Sequence, residues 1–411
     1  MDIHNRTSII VLFSLISASL FAFSLNIETV NAYEGTIVIQ ADGLVTPENA
    51  PFERIGDLYL LTDDITFENA GTGIMVNRTS NIVIDGQGHN LTRCGIYTIL
   101  AENVTIKNFH LNNCGITLSY ESANVKIHNN TILGGSIYFH YSGPHEIIEN
   151  IISGASGIFT PEDAGESYTV IARNNITSNG SGIKFNSNSI NNTIIDNNIS
   201  NNVNYGIYFK AGTNNYIAGN NVIGNRIGIY MTNYFDGSVG QYGEGVSQNN
   251  IIVDNYFASN TEIGISIVNG TNNPRANFRI GSDLPNYIYH NIFENNTKHV
   301  SFQHLISGWN YTIESDYTAL ANVTNVMDDG YPSGGNYWDD YTGIDADCDG
   351  IGDEPYVIDD YNIDRYPLVD DKSFFAVPEI PLGTIMALIS SLAAFTLLYT
   401  IKSKKKIKQR Q

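Results

Sequence analysis

Between Leu58 and about Ile306 the apolar residues come in runs of two to five, alternating with polar ones and dominated by Ile, Val, Tyr and Phe. Runs this short, with a period of two and this many β-branched residues, predict strands; a helix needs a longer run with a 3.6-residue period. The runs recur in recognisable copies: NVTIKNFHLNNCGITLSY from Asn103, NVKIHNNTILGGSIYFHY from Asn124, NNTIIDNNISNNVNYGIYF from Asn191 and NNYIAGNNVIGNRIGIYM from Asn214. Further copies begin at Asn81, Asn249 and Asn286, and a degenerate one at Leu58. An Asn returns at Asn108, Asn129, Asn150, Asn174, Asn197, Asn220, Asn255 and Asn291, in steps of 21, 21, 24, 23, 23, 35 and 36. A Gly-Ile pair returns at Gly95, Gly115, Gly157, Gly182, Gly206, Gly228 and Gly264. A spacing near 22 residues with three short strands per repeat suits one coil of a parallel β-helix. The prediction is an all-β solenoid of about nine rungs, right-handed because parallel crossovers take that hand. The Leu-x-x-Leu-x-Leu signature of the leucine-rich repeat, a solenoid of similar period, is absent.

One coil cannot bury its own inner face, so the coils must stack and their inward Ile and Val must merge into one core. The Asn column suits a corner, because Asn tolerates left-handed backbone and stacked amides bond from rung to rung. Gly suits the sharp bend at a second corner. The long steps mark two insertions, Met231–Gln248 and Asn269–Pro285, each after the strand that follows Gly-Ile, so they emerge side by side. Such insertions often build a solenoid's binding face. Tyr234, Asp236, Tyr242, Glu244, Arg275 and Arg279 are therefore candidate ligand contacts, against the alternative of two decorative glycine-rich loops. Cys94 and Cys114 precede Gly-Ile on adjacent rungs. Rungs about 4.8 Å apart bring them within disulfide range, so buried free thiols, a disulfide and a soft-metal pair are the three readings.

The chain ends change the setting. Ile9 to Leu25 is apolar and runs to Val30-Asn31-Ala32, which reads as a secretory signal over residues 1–32 with cleavage before Tyr33. Leu382 to Ile401 has no charged residue and is about 20 residues long, enough to span a bilayer, and a basic tail follows at 402–411. Positive charge after a span stays inside, so the expected topology puts the body outside, anchored by residues 377–401. Val377-Pro378-Glu379-Ile380-Pro381 resembles the sorting tail of archaeal surface proteins, with Ile380 in place of its Phe. Net charge is −21, and the six cations of the tail leave −27 on the rest, which excludes nucleic acid as a partner because phosphate binding needs a basic surface. Thirteen Asn-x-Ser/Thr sequons, among them Asn77, Asn103 and Asn198, permit glycosylation outside a cell, though a chain this rich in Asn generates them by chance.

The repeat region is assigned to residues 33–316, and after Tyr317 composition shifts to an acidic module at 317–376. There Asp345, Asp347 and Asp349 alternate, followed by Gly350, Ile351 and Asp353. Carboxylates at alternate positions before a turn Gly wrap a chain around a hard cation, with the Ile351 carbonyl and Asp353 as later ligands. Calcium is the expected ion, although Tyr356 stands where an EF-hand loop needs its bidentate Glu.

Gly334–Tyr341 (GGNYWDDY, containing Trp338, a further candidate ligand contact), Asp345–Tyr356 (DADCDGIGDEPY), the Asp364–Leu368 ending and Ile84–Leu91 (IDGQGHNL) resemble the NosD family of β-helix proteins. The resemblance covers about Leu58 to Leu368 and implies a copper-binding accessory role for nitrous oxide reductase, or kinship with β-helices that bind or cleave carbohydrate. Copper(I) wants clustered Met and Cys, whereas the five Met form no motif and His89, His110, His128, His140 and His145 are scattered over early rungs. No catalytic carboxylate pair emerges: Asp196 and Asp254 share a column with Gly219 between them, and Lys107, Glu149 and Arg173 are assigned the same position. The reading is a membrane-anchored extracytoplasmic binding protein for polysaccharide or a protein partner, with a carbohydrate-active enzyme and a copper-handling protein as alternatives.

Overall fold

A computed structural model describes residues 32–33, 35–67, 73–161, 168–186, 189–232, 247–271, 284–310, 315–320 and 324–370. Short strands follow one another with turns between them, and every third strand joins the same sheet. A first sheet has 12 strands, a second 13 and a third 11. Neighbours within the sheets are parallel and in register, as in Gly95–Ile99 on Gly115–Ser119 and Thr193–Ile195 on Tyr216–Ala218. The chain is a right-handed parallel β-helix. Antiparallel partners occur at the ends, where Phe52–Ile55 folds on Leu58–Leu61 and Val300–Asn310 on Ser315–Leu320. They cover sheet edges that would otherwise offer unpaired backbone.

The core follows from the alternation. In the third sheet Ile106, Ile127, Ile147, Ile171, Ile194, Ile217, Ile252 and Ile288 stack inward, all fully buried. In the first sheet Ile176, Ile199, Val222, Phe257, Phe293 and Trp338 do the same. Each such side chain contributes about 1.5–3 kcal/mol on burial, which a single rung could not collect.

The corners hold a finer arrangement than the Asn column alone predicts. That column is two adjacent columns. Asn108, Asn129, Glu149, Arg173, Asp196, Gly219, Asp254 and His290 have positive φ and turn the chain. The next residue points inward: Asn130, Asn150, Asn174, Asn197, Asn220, Asn255, Asn291 and Asn336 are buried, each accepting the backbone N–H of its counterpart one rung earlier at 2.9–3.1 Å. Asn108 and Asn129 therefore belong to the turning column rather than the stacked one. Lys107 belongs to neither; it ends the strand Thr105–Lys107 and pairs with Asp85 at 3.1 Å. The left-handed residues carry an outer line of such bonds, as in Asn129 Nδ2 donating to Asn108 Oδ1 at 2.8 Å, while the following residue bonds along the axis inside the corner.

Two more inward ladders occupy the other corners. One comprises Asn179, Asn202, Asn225, Asn260 and Asn296, and the other Asn192, Asn215, Asn250, Asn286, Asn325 and Asn362. Their last members change the view of the acidic module. The repeat is expected to stop after Tyr317, but Asn325, Asn336 and Asn362 extend two ladders, and Tyr337–Trp338 is the last strand of the first sheet. The acidic segment is the closing coil of the solenoid.

The Gly column has a different cause from the one its composition suggests. Among its members only Gly157 has positive φ. A Cβ at Gly182, Gly206, Gly228 or Gly264 would stand 2.4–2.6 Å from the carbonyl oxygen of the next rung. Close approach of backbones, not a bend, demands glycine there. Ser136 and His299 take the position on two other rungs, as the pairing of Ile116 with Ile137 and of Ile265 with Val300 fixes.

Among the described residues no helix is long and apolar enough to cross a membrane. Of the expected signal over residues 1–32, residues 1–31 lie outside them, as does the span Leu382–Ile401, while Ala32 opens the strand Ala32–Tyr33.

Candidate functional site

The strands Ile227–Thr232 and Ile263–Thr271 pair in register in the second sheet, so the two insertions leave from neighbouring rungs. Tyr234, Asp236, Tyr242, Glu244, Arg275 and Arg279 lie outside the described residues. Trp338 is 1% exposed and sits in the cap. Its ring is stacked between Phe293 (4.5 Å between centroids) and Tyr356 (4.4 Å), and its Nε1–H donates to Asp364 Oδ2 at 2.9 Å. That ring closes the end of the core and has no face left for a ligand.

The outer face of the second sheet carries a line of aromatic side chains. Tyr97, Thr117, Tyr138, Phe159, Lys184, Tyr208 and Tyr230 follow one another in register, half-buried and pointing outward. Tyr138 and Phe159 lie 4.7 Å apart, and Tyr205 adds a ring stacked on Tyr230 at 5.2 Å and 10°. Lys184 Nζ stands 5.6 Å over Tyr208, and the Arg226 guanidinium 5.6 Å over Tyr205. A groove of about 480 Å³ opens on this stripe, lined by Tyr138, Phe159, Lys184, Asn186 and Asn204. The signal was legible in the sequence as Tyr after Gly-Ile, at Tyr97, Tyr208 and Tyr230.

In the closing coil, carboxylate oxygens of Asp345, Asp347 and Asp349 lie within 4.8 Å of one another. Asp345 accepts the backbone N–H of Asp349 (3.1 Å) and Gly350 (2.9 Å), and Asp353 accepts that of Ala346 (2.8 Å), so the loop is wrapped on its own acids. Gly350 has φ +91°, the turn its position predicts. The Asp347 carboxyl is raised above its ordinary range by desolvation, then by Asp349 and Asp345. Ile351 is buried and bridges Leu368.

A second cluster was not foreseen. His299 Nε2 lies 2.8 Å from Asp339 Oδ1 and 3.3 Å from Asp340 Oδ1. Its signal was the break in the Gly column, His-Val in place of Gly-Ile, together with the Asp-Asp of the GGNYWDDY stretch. The early histidines do not converge: His110 lies in the first sheet and His128 in the third, where it pairs with Glu149 at 2.8 Å. His145 is buried against Phe139, and desolvation lowers its pKa to about 3. Cys94 and Cys114 are free, their sulfurs 3.4 Å apart; the neighbouring Cys114 sulfur and burial push the Cys94 thiol up.

No curated protein sequence matches the chain. Solved structures similar to it include the A-module of a mannuronan C-5 epimerase of Azotobacter vinelandii, 11% identical with a TM-score of 0.34, covering 61% of this chain and 87% of that one. A periplasmic alginate epimerase is 15% identical with a TM-score of 0.32, covering 62% and 80%. A surface adhesin of Streptococcus pneumoniae is 10% identical with a TM-score of 0.30, covering 58% and 82%. Nothing about the ligand of this chain follows from likenesses this loose. The sequence model of the NosD family, described as periplasmic copper-binding protein, matches residues 34–205 and 188–343. With three quarters of its length inside those matches, the chain belongs to the NosD family.

Proposed function

We propose that this NosD-family protein is an extracytoplasmic binding protein that holds a polysaccharide chain along the outer face of its second sheet. The observation that carries the reading is the aromatic stripe from Tyr97 to Tyr230 over the groove at Lys184. Rungs repeat about every 4.8 Å, and Tyr97, Tyr138, Phe159, Tyr208 and Tyr230 set five rings along one line, with Thr117 and Lys184 between them. Aromatic faces bind the apolar sides of sugars while Asn186, Asn204 and Lys184 supply hydrogen-bond partners to hydroxyls. The membrane anchor over 377–401 and the secretory signal belong to the same proposal, as does calcium at Asp345, Asp347 and Asp349, with the Ile351 carbonyl and Asp353 completing its shell.

Glycan-array binding by the purified protein, repeated with Tyr208→Ala plus Tyr230→Ala, tests it. Each ring removed should weaken binding several-fold, about 0.5–1.5 kcal/mol. Equal binding by the variant removes the stripe from consideration. Release of new reducing ends from a bound glycan favours a carbohydrate-active enzyme over a binder.

The family description names copper, and two sets of residues among those described bear on a transition metal. Met231 and Met327 are buried in the core, Met75 is half-buried on an outer face, and none stands in the Cys94–Cys114 pair, so a soft thioether–thiolate nest for Cu(I) is not assembled. The imidazole and two carboxylates of His299, Asp339 and Asp340 fit a divalent ion, with one nitrogen and two oxygen donors converging.

A further inference from the structure

We infer that His299, Asp339 and Asp340 form a site for a divalent first-row transition ion, built into the closing coil at the C-terminal end of the solenoid. Three observations carry it. The first is convergence: His299 Nε2, Asp339 Oδ1 and Asp340 Oδ1 turn toward one point, all within 4.8 Å of one another. Donors about 2.1 Å from one tetrahedral ion stand about 3.4 Å apart. The His299–Asp340 separation of 3.3 Å already suits that geometry, and the Asp339 contact of 2.8 Å opens to it with a shift of about half an ångström.

The second is the way each ligand is held from behind. Asp339 spends Oδ2 on the backbone N–H of Asn295 at 2.6 Å, and Asp340 spends Oδ2 on the Tyr356 hydroxyl at 3.2 Å. Each carboxylate is thus anchored by one oxygen and aims the other at the site, which is how outer partners orient metal ligands. The His299 ring is fixed between Phe293 (5.9 Å) and Trp338 (5.9 Å). Its side chain is only 7% exposed, whereas that of Asp340 is 59% exposed, so the ion has an entry path from solvent.

The third is charge. Two carboxylates approach one another beside an imidazole whose Nδ1 is buried without a hydrogen-bond partner. Lys298 lines the adjoining cavity of about 210 Å³, but its ammonium donates to Ser301 Oγ at 3.2 Å. That nitrogen lies on the other edge of the ring from the site, and it is the two carboxylates, held this close beside Nε2, that call for a cation. One imidazole among the ligands favours zinc or copper(II) over calcium, which takes oxygen ligands.

The replacement His299→Gly is tolerable, since glycine stands at this position on the earlier rungs from Gly157 to Gly264, Ser136 being the break before them. Asp340→Asn changes an exposed group and leaves the core alone. Titration of the full chain with Cu(II), read by electron paramagnetic resonance, should give one copper per chain with hyperfine coupling to a single nitrogen. Both variants should lose affinity at least about tenfold, and Tyr356→Phe, which frees the Asp340 anchor, about tenfold. Zn(II) should displace the copper signal and calcium should not. Unchanged copper affinity in Asp340→Asn, with a melting temperature equal to the parent, overturns the site. So does a copper signal that disappears in Asp347→Ala plus Asp349→Ala but survives in His299→Gly.

Discussion

Replacing Asn220 by Ala separates the ladder's structural role from any ligand role. Asn220 is fully buried; its Oδ1 accepts the Asn197 backbone N–H (3.0 Å) and the Asn197 side-chain amide (2.9 Å). Its own Nδ2 donates to the carbonyls of Ile194 (2.8 Å) and Ala218 (3.1 Å) and to Asn255 Oδ1 (2.9 Å). Alanine leaves the Asn197 N–H and the Ile194 carbonyl without these partners in a dry corner. An orphaned buried N–H costs about 1–3 kcal/mol, and with the lost acceptor pairing and the small void the total is about 3–5 kcal/mol. Asn198→Ala is the control: that residue is half-buried, makes a side-chain bond to Asn175 at 2.8 Å and is replaced by water for under about 1 kcal/mol. A solenoid need not unfold in one step, so the readout must be local. Hydrogen exchange at the Asn197 amide should accelerate by about two to three decades in Asn220→Ala and hardly change in Asn198→Ala. Equal effects of the two substitutions, or an Asn197 amide that stays protected, would refute the ladder as a source of stability.

Gly206→Ala should cost about 1–3 kcal/mol in denaturant unfolding, because its Cβ would meet the Gly228 carbonyl oxygen at 2.6 Å and Val222 at 2.9 Å; a neutral result would mean the rungs spread freely. Asp364 caps the ladder after Asn336, and burial outweighs three N–H donors to raise its pKa to about 7. A raised carboxyl stabilises the fold fully below its unfolded value near 3.8, and that part is lost as pH climbs through about 7. The stability difference between the parent and Asp364→Asn should therefore shrink by up to about 4 kcal/mol from pH 4 to pH 7 and level off above; a difference flat across that window contradicts it. Asp347→Ala plus Asp349→Ala should lower the melting temperature in calcium but not in chelator, and identical curves in calcium remove that ion from the loop. Iodoacetamide should modify exposed Cys348 in the native protein while Cys94 and Cys114 react only on unfolding; equal rates would show the pair open to solvent.

The solenoid was legible because its cause is periodic. Every rung must solve the same packing problem, so the Gly-Ile pair and the alternating Ile runs repeat wherever the backbone stacks. Neighbouring columns were harder to separate, since Asn serves both as the turning residue at Asn129 and as the inward one at Asn130. One residue type, two roles, one position apart: only the doubled Asn at Asn129-Asn130, Asn191-Asn192, Asn201-Asn202, Asn214-Asn215, Asn249-Asn250 and Asn295-Asn296 betrays the pair. The stripe from Tyr97 to Tyr230 was hidden by the strand propensity of Tyr, which explains an aromatic in a strand without reference to its outward side. The His299 cluster joins positions about 40 residues apart across the long strand Val300–Asn310 and its antiparallel partner, a separation that no periodicity encodes.

The location of that cluster follows from the same rule that makes the rest uniform. On an interior rung the corner before Ile207 or Ile229 is roofed by the next backbone at 2.6 or 2.4 Å, so no side chain can stand there. On the last rung that roof is missing, because the chain leaves in the strand Val300–Asn310 and returns as the first-sheet strand Tyr337–Trp338. The space at the corner becomes available to a side chain, and His299 fills it. The acids then come from the residues just after Trp338, whose ring continues the stack of Phe257 and Phe293 and so fixes their height on the axis. Within the array the position holds glycine or the small Ser136, and the terminal coil gives it room for an imidazole.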